Sequence, residues 1–593
     1  MKYRLNIIFI FIIILMGTLL SRVYFLSIKS NTYYEELSKR NYIHRVLKAP
    51  IRGVIEDRNG EKLAVNQMGF SILIEPHLAS YKNKKKLQDA IALISKHFPA
   101  FEEKELMKIY RRKDSPYNHD YVPIIDYIPY DEFFPKYTLI ASQDNVKIES
   151  AVKRHYPYRK VASHIIGYVG KASKNDIINQ ELEAHHKIIG KNGLEKYYNE
   201  ILQGKVGYKD VKVNALNEEI EILEEQEPSS DNNIKISLDI KLQKYIQDIF
   251  GKKSGAVIVM DAHNGEILAG ASFPEFDNNI FAEGISTKEW EKMRNDFNHP
   301  FTNKLINGLY PPGSVIKMGI ALSFLENGLS KDYKVYDNGS HRVGNRNFRC
   351  WKTTGHGTVG FIKAIRESCD DFFYKASMEI GIDNISNTLD KLGFGQKTGV
   401  DQLNEFVGIN PNKDWKQKRF NQPWYVGETL ISSIGQGNVL VTPMQMARYT
   451  GYLATGKLPK PHLYKLNYEE PTEVDIPKEF LPIVRKGMYE VTYHPDGTAK
   501  RHIKSEIAIA SKTGTAQVIT IPQSEKKRMK ESELDYYQRS HAWLTTYAPY
   551  RDPKYVVTVI VEHGGHGGSA AGGIVSKIYN KLEELGYIKR RGK

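Results

Sequence analysis

Hydrophobic and polar positions fall into distinct regimes along the chain. Residues Leu5 to Leu20 carry no charge and are mostly Ile, Leu and Phe, and after Arg22 the apolar run resumes from Val23 to Ile28. A block of that length suffices to cross a bilayer core. Lys2 and Arg4 also resemble the basic region of a cleaved signal peptide, but no small-x-small cleavage site follows, so an uncleaved signal anchor is expected over 1–28. Basic residues flank both ends of the block and leave its orientation open. Residues 30–60 read as extended, with turn signals at Ala49-Pro50 and Asp57-Arg58-Asn59-Gly60. Over 84–112, Leu87, Ile91, Leu93 and Ile94 recur at helical spacing behind Lys84-Lys85-Lys86, which read as a solvated face rather than a nucleic-acid patch. From Glu218 to Asp231 the chain turns acidic and runs through Pro228-Ser229-Ser230; it reads as a linker and a domain boundary. Gly255 to Ala269 predicts two strands around an Asn264-Gly265 turn. Mixed helical and strand patterns then fill the remainder, as one large α/β domain would.

Composition narrows the class. Of 593 residues, 41% are hydrophobic and 26% charged, which excludes wholesale disorder and a many-spanning membrane protein. The net charge of +15 suits an acidic partner or surface without choosing among nucleic acid, membrane and wall polymer. Two cysteines are too few for a disulfide framework.

Candidate chemistry centres on Tyr310-Pro311-Pro312-Gly313-Ser314-Val315-Ile316-Lys317. Pro-Pro-Gly forces a turn and opens a helix, and the apolar residues that follow predict its burial. Ser314 and Lys317, three apart, share a face. Burial disfavours an ammonium, so Lys317 is expected to be neutral part of the time and to take the serine proton. The helix amino terminus offers a backbone N–H to a developing oxyanion. Ser368-Cys369-Asp370 follows 54 residues after Ser314, and Lys512-Thr513-Gly514-Thr515 follows 198 residues after it, behind the apolar run Ile507-Ala508-Ile509-Ala510. Lys512, Thr513 and Thr515 on a strand would offer donors to a carboxylate. Together S-x-x-K, S-x-D/N and K-T-G form the serine set of penicillin-binding proteins and class A β-lactamases. Three other matches are set aside. Ser230-Asp231-Asn232 lies in the acidic stretch before the nucleophile. Lys397-Thr398-Gly399 lies in a glycine-rich turn with no strand before it. Gly355 to Gly360 matches G-x-G-x-x-G, again with no preceding strand.

Over nearly its whole length the chain resembles the class B penicillin-binding proteins of the elongation type, the penicillin-binding protein 2 family. The likeness rests on the residues from Ala49 to Gly60, on His164-Ile165-Ile166-Gly167-Tyr168-Val169-Gly170 and on Gly193-Leu194-Glu195-Lys196. Trp351-Lys352, the residues Trp415 to Phe420, Gly435-Gln436-Gly437 and Thr442-Pro443 extend it. Asp370 stands where most penicillin-binding proteins have Asn and make a hydrogen bond to substrate; this subfamily is similar to the present chain in carrying Asp. The resemblance implies an α+β fold, an antiparallel sheet covered by helices. It also implies an anchor over 1–28, an extended pedestal over 29–232 and a transpeptidase domain over 233–593. It implies a peptidoglycan D,D-transpeptidase of the bacterial inner membrane, facing the periplasm and acting in wall elongation and cell shape. Ser314 would attack the penultimate D-Ala of a stem peptide with Lys317 as base. Ser368 would pass a proton to the leaving D-Ala, and Lys512, Thr513, Gly514 and Thr515 would bind the terminal carboxylate. β-Lactams would stall the enzyme as acyl adducts. No glycan-polymerising domain is recognised, so the implied partners are lipid-linked precursor, a SEDS polymerase (RodA) and the scaffold MreC, with no nucleic acid. A D,D-carboxypeptidase, a β-lactamase and a non-catalytic β-lactam sensor are the rival readings.

Cys350 and Cys369 fall in one window with His356 between and Asp337 ahead, spaced by 13, 6 and 13 residues. In an oxidising compartment a disulfide is the default. Two thiolates, an imidazole and a carboxylate also make a closed tetrahedral set. The resemblance implies the latter, a structural zinc ion. Glu562-His563 with His566, among paired glycines, reads as a loop at the site's edge rather than a ligand set.

Overall fold

The computed structural model describes residues 2–29, 42–48, 50–80, 83–116, 120–173, 188–214, 219–229, 232–519 and 531–589. The apolar block is one helix, Lys2–Tyr24, continuing as a wider turn, Phe25–Lys29, with its apolar side chains exposed. At 1.5 Å per residue the 27 residues Tyr3–Lys29 reach about 40 Å, more than a hydrocarbon core requires.

The chain divides into two units. In the first, formed from segments 1–53, 172–187 and 200–232, strands Ile43–Lys48, Gly207–Val213 and Glu219–Gln226 make a three-stranded antiparallel sheet. Most of the acidic stretch expected to be a linker is therefore a strand. Its glutamates meet cations of the other two strands, Lys209 to Glu219 at 2.6 Å and Lys48 of the far strand to Glu225, and these pairs offset the local excess of negative charge. Ser230-Asp231 lies outside the described residues.

The second unit holds 54–171, 188–199 and 233–593. In its amino-terminal part the long strand Lys62–Ile74 pairs with Val122–Pro129 and Val146–His155. The helical periodicity over 84–112 resolves into two helices, Lys84–His97 and Glu103–Lys113, whose apolar stripes bury Leu87, Ile91, Ile94, Leu106 and Tyr110 against that sheet. The Lys84 end of the first helix is solvated, as its pattern predicts.

The larger part is organised around a five-stranded antiparallel sheet. Its strands are β1 (Gly255–Asp261), β2 (Ile267–Phe273), β3 (Ala510–Ala516), β4 (His541–Ala548) and β5 (Tyr555–Val561), in the order β2-β1-β5-β4-β3. The hairpin read at Asn264-Gly265 is β1-β2, and Gly265 takes a positive φ in its turn. Strands buried on both faces must be covered twice. Helices Ile240–Phe250 and Gly567–Glu584 cover one face, and Pro443–Thr455 packs on β1, β4 and β5. Among the described residues β3 pairs with a strand on one side only and forms the edge of the sheet.

Candidate active site

Three segments distant in sequence meet at β3. The first is the Pro-Pro-Gly turn. Ser314 lies not on the α-helix itself but on a 3-10 turn, Gly313–Ile316, from which α1 (Lys317–Glu326) continues. Gly313 has φ +55°, and a Cβ there would sit 2.7 Å from the Thr515 carbonyl oxygen. Glycine thus lets the nucleophile's turn lie directly on β3. Gly313 N–H donates to Gly435 O at 2.8 Å, and Gln436 Nε2 donates to Thr515 O at 3.1 Å, so Gly435-Gln436 binds turn and strand together.

The second segment is the loop before α2 (Asp370–Ile380). Ser368 has φ 55°, a left-handed conformation that is costly for a non-glycine residue and that recurs at functional sites. The third is β3, which carries Lys512, Thr513, Gly514 and Thr515 as expected; the apolar run Ile507 to Ile509 ahead of it is not itself strand.

Lys317 and Lys512 are both fully buried; they share Ser368 as a partner, and Lys317 alone also meets a carboxylate. Lys317 Nζ donates to Asp370 Oδ1 at 2.7 Å and to Ser368 O at 3.1 Å, and lies 5.1 Å from the centre of the Phe373 ring. The amine expected to be neutral therefore has a carboxylate beside it, because Asp370 points to Lys317 from the first turn of α2, 53 residues away. Asp370 Oδ2 accepts from Trp351 N at 3.0 Å. Lys512 Nζ donates to Ser368 Oγ at 2.9 Å and to Thr513 O at 2.9 Å. Burial, and then the neighbouring Lys317 cation, hold the Lys512 ammonium well below its ordinary pKa. Thr513 Oγ1 shares a hydrogen with Thr498 Oγ1 at 2.7 Å. Among the described residues Ser314 Oγ makes no hydrogen bond, which leaves the nucleophile free to meet a carbonyl. Trp351, Gln436 and Thr498 were not assigned site contacts from sequence; no spacing rule connects Thr498 to Thr513.

Beside this cluster lies a second. Asp337, Cys350, His356 and Cys369 are all buried, and their ligand atoms lie within 4.8 Å of one another. His356 Nδ1 meets Asp337 Oδ2 at 2.6 Å and Cys369 Sγ meets the same oxygen at 3.2 Å. Both cysteines are free thiols. Hydrogen bonding with Cys369, and then with His356, lowers the pKa of the Cys350 thiol, while sharing a proton with Cys350 raises that of Cys369. His356 Nε2 is buried with no hydrogen-bond partner among the described residues. Asp370 N–H donates to Cys350 Sγ at 3.3 Å, which joins the two clusters.

The set-aside motifs have structural duties. Thr398 of the second Lys-Thr-Gly donates its hydroxyl to Glu405 Oε1 at 2.5 Å and lies on no strand. Glu562 accepts from Tyr310 OH at 2.7 Å and from Ser254 Oγ, and His563 packs on His541. Among the described residues they form no metal-ligand group.

A Ser-x-x-Lys turn, a Ser-x-Asp loop and a Lys-Thr-Gly-Thr edge strand gathered on an antiparallel sheet define a serine acyl-transfer enzyme. The chain belongs to the penicillin-binding protein transpeptidases: the penicillin binding protein transpeptidase domain matches residues 255–580, and the penicillin-binding protein dimerisation domain matches 47–236. It is similar to the peptidoglycan D,D-transpeptidase MrdA of Escherichia coli, 34% identical over 98% of this chain and 94% of that protein. Among solved structures it is similar to the penicillin-binding protein (PBP2) of Helicobacter pylori in complex with MreC, at 45% identity. That match has a TM-score of 0.85 and covers 92% of this chain and 99% of that one. It is also similar to a chain of a peptidoglycan synthase complex that coordinates polymerization and crosslinking, at 25% identity, a TM-score of 0.70 and full coverage of both chains.

Proposed function

We propose that this protein is a peptidoglycan D,D-transpeptidase of wall elongation, held in the inner membrane by residues 1–28 with its catalytic part in the periplasm. In this reading 29–232 is a pedestal and 233–593 the transpeptidase domain. The observation that carries it is the convergence of Lys317, Ser368, Asp370 and Lys512 beside the turn bearing Ser314, with three hydrogen bonds of 2.7–3.1 Å joining the four.

The chemistry is acyl transfer in two steps. Ser314 Oγ attacks the carbonyl carbon of the penultimate D-Ala. Lys317 is the base that takes its proton, and the Asp370 carboxylate beside it stabilises the ammonium. The oxyanion is met by backbone N–H groups of Ser314 and Thr515. Ser368, whose hydroxyl is fixed by Lys512, delivers a proton to the leaving D-Ala amine. The Lys512, Thr513 and Thr515 donors hold the terminal carboxylate, and β3, as the edge strand, suits an extended peptide. The amine of a second stem peptide then attacks the acyl-enzyme and frees Ser314. β-Lactams take the donor's place and stop at the acyl stage. The named relatives, one in complex with MreC and one in a synthase complex, support MreC and a SEDS polymerase such as RodA as partners. Intact-mass spectrometry of protein treated with penicillin tests the reading: one adduct on Ser314 is expected, and none in Ser314→Ala. An unmodified wild-type chain would refute it.

Asp337, Cys350, His356 and Cys369 fit one structural zinc ion: two sulfurs, a nitrogen and a carboxylate oxygen, buried within a single coordination sphere's reach. The ion would tie the loop carrying Ser368 and Asp370 to the strands before it, and takes no part in the acyl transfer. Elemental analysis should find about one zinc per chain, lost in Cys369→Ser; equal zinc in the two proteins would remove the site.

A further inference from the structure

A second recess lies apart from the acyl-transfer centre, between the segments 301–307 and 402–406 and beside Asn192. Its volume is about 430 Å³, within the ordinary range of small-ligand sites. In a chain of net charge +15 no charged side chain lines it. Its polar atoms are amides held in fixed orientation. Asn303 and Gln402 are only 8% and 7% exposed. Asn303 Oδ1 accepts from Leu305 N at 3.2 Å, which leaves Nδ2 as a donor. Gln402 Nε2 donates to Ile165 O at 3.1 Å, which leaves Oε1 as an acceptor. In the same way Asn192 Oδ1 accepts from Gly193 N at 2.9 Å, and Asn307 Nδ2 donates to Asn404 O at 2.5 Å. Two N–H₂ groups and two carbonyls thus remain, and among the described residues none of the four is hydrogen-bonded. None of the four is sealed from solvent, so each is open to a ligand that enters the recess. Phe406, 46% exposed, and Phe301, stacked on Trp290 at 4.8 Å, add apolar faces.

Neutral amides that alternate donor and acceptor beside aromatic faces suit a ligand that is itself neutral, hydroxylated and amide-bearing, with apolar C–H faces. We propose that this recess is a subsite for the N-acetylated glycan strand of the substrate. The inference rests on the transpeptidase reading and extends it from the stem peptide to the sugar chain that carries it. Asn307 stands seven residues before Ser314, so the recess lies within ~25 Å of the nucleophile, the most that seven residues span. One strand can therefore be held in the recess while its peptide reaches Ser314.

The test is titration of the full chain, in a detergent without a sugar headgroup, with a β-1,4-linked N-acetylglucosamine tetramer, followed by ligand-observed NMR. Saturable binding is expected. It should weaken about tenfold in Phe406→Ala and in Asn307→Ala, the effect of one lost contact of roughly 1.4 kcal/mol. Because no charge lines the recess, affinity should be the same at low and high salt. Both variants should still form the penicillin adduct on Ser314, which also reports that they are folded. No saturable binding, equal affinity in both variants, or affinity that falls steeply with salt would overturn the subsite. Those results would leave the adduct, and with it the transpeptidase reading, standing; a wild-type chain with no adduct would instead remove that reading.

Discussion

Lys317 and Lys512 are both buried amines, yet their neighbours give them opposite characters. Lys512 has neutral oxygens as partners and a cation nearby, so burial works against its charge. Lys317 has a carboxylate at 2.7 Å, so the charge it gains on taking a proton is matched. The sequence singled out both lysines but not this difference, because it depends on where Asp370 points. Read by analogy as a substrate contact, Asp370 turns its two oxygens to Lys317 and the Trp351 backbone instead. Asp370→Asn keeps the shape and removes the charge. A charge-assisted hydrogen bond is worth about 1.5–3 kcal/mol, so acylation by a labelled penicillin should slow about 10–100-fold with the fold intact. An unchanged acylation rate would show that the Asp370 charge does not stabilise the Lys317 ammonium during acylation.

Among the elements, the turn carrying the nucleophile shows where local rules stop. Pro311-Pro312-Gly313 announces a helix start, and a helix follows. That its first turn is a 3-10 turn is set by β3, since Gly313 must pass within reach of the Thr515 carbonyl. Gly313→Ala would impose both a positive φ on a residue with a Cβ and the 2.7 Å contact. The strain of about 1–3 kcal/mol would be relieved by moving Ser314. Acylation should fall by about tenfold or more and the thermal midpoint should drop; a variant equal to wild type in both would show that the turn need not lie so close. The acidic stretch makes the converse point. Glu219–Gln226 reads as a linker by composition, but it pairs with the strand just before it, Gly207–Val213, and its Glu225 meets Lys48 from a segment 177 residues away.

At the scale of the larger unit, the His164 to Gly170 segment is recognisable in sequence as a family signature, but its physical role appears only in the packed structure. His164 is 1% exposed, its Nε2 donates to Pro300 O at 2.7 Å, and its ring packs edge-on against Phe276 at 5.0 Å. Burial pushes its pKa down from 6.5 to about 4. Below pH 6.5 the unfolded chain binds a proton that the folded chain refuses. The stability due to His164 is therefore complete above pH 6.5 and is lost as the pH falls towards about 4, about 3 kcal/mol in all. The thermal midpoint of wild type should fall across that window, and His164→Gln should flatten the fall; parallel curves would assign the acid lability to other groups. The apolar anchor, the Ser-x-x-Lys, Ser-x-Asp and Lys-Thr-Gly-Thr segments and the four ligand types were legible in the sequence alone. Each is fixed by covalent order, local periodicity or residue chemistry, which survive without a fold. The tertiary structure decided which lysine faces a carboxylate, that β3 is an edge strand of its sheet, that four ligand atoms come within reach of one another, and that a ring of neutral amides faces an open recess. Each of these depends on distances between side chains far apart along the chain, and only packing sets such distances.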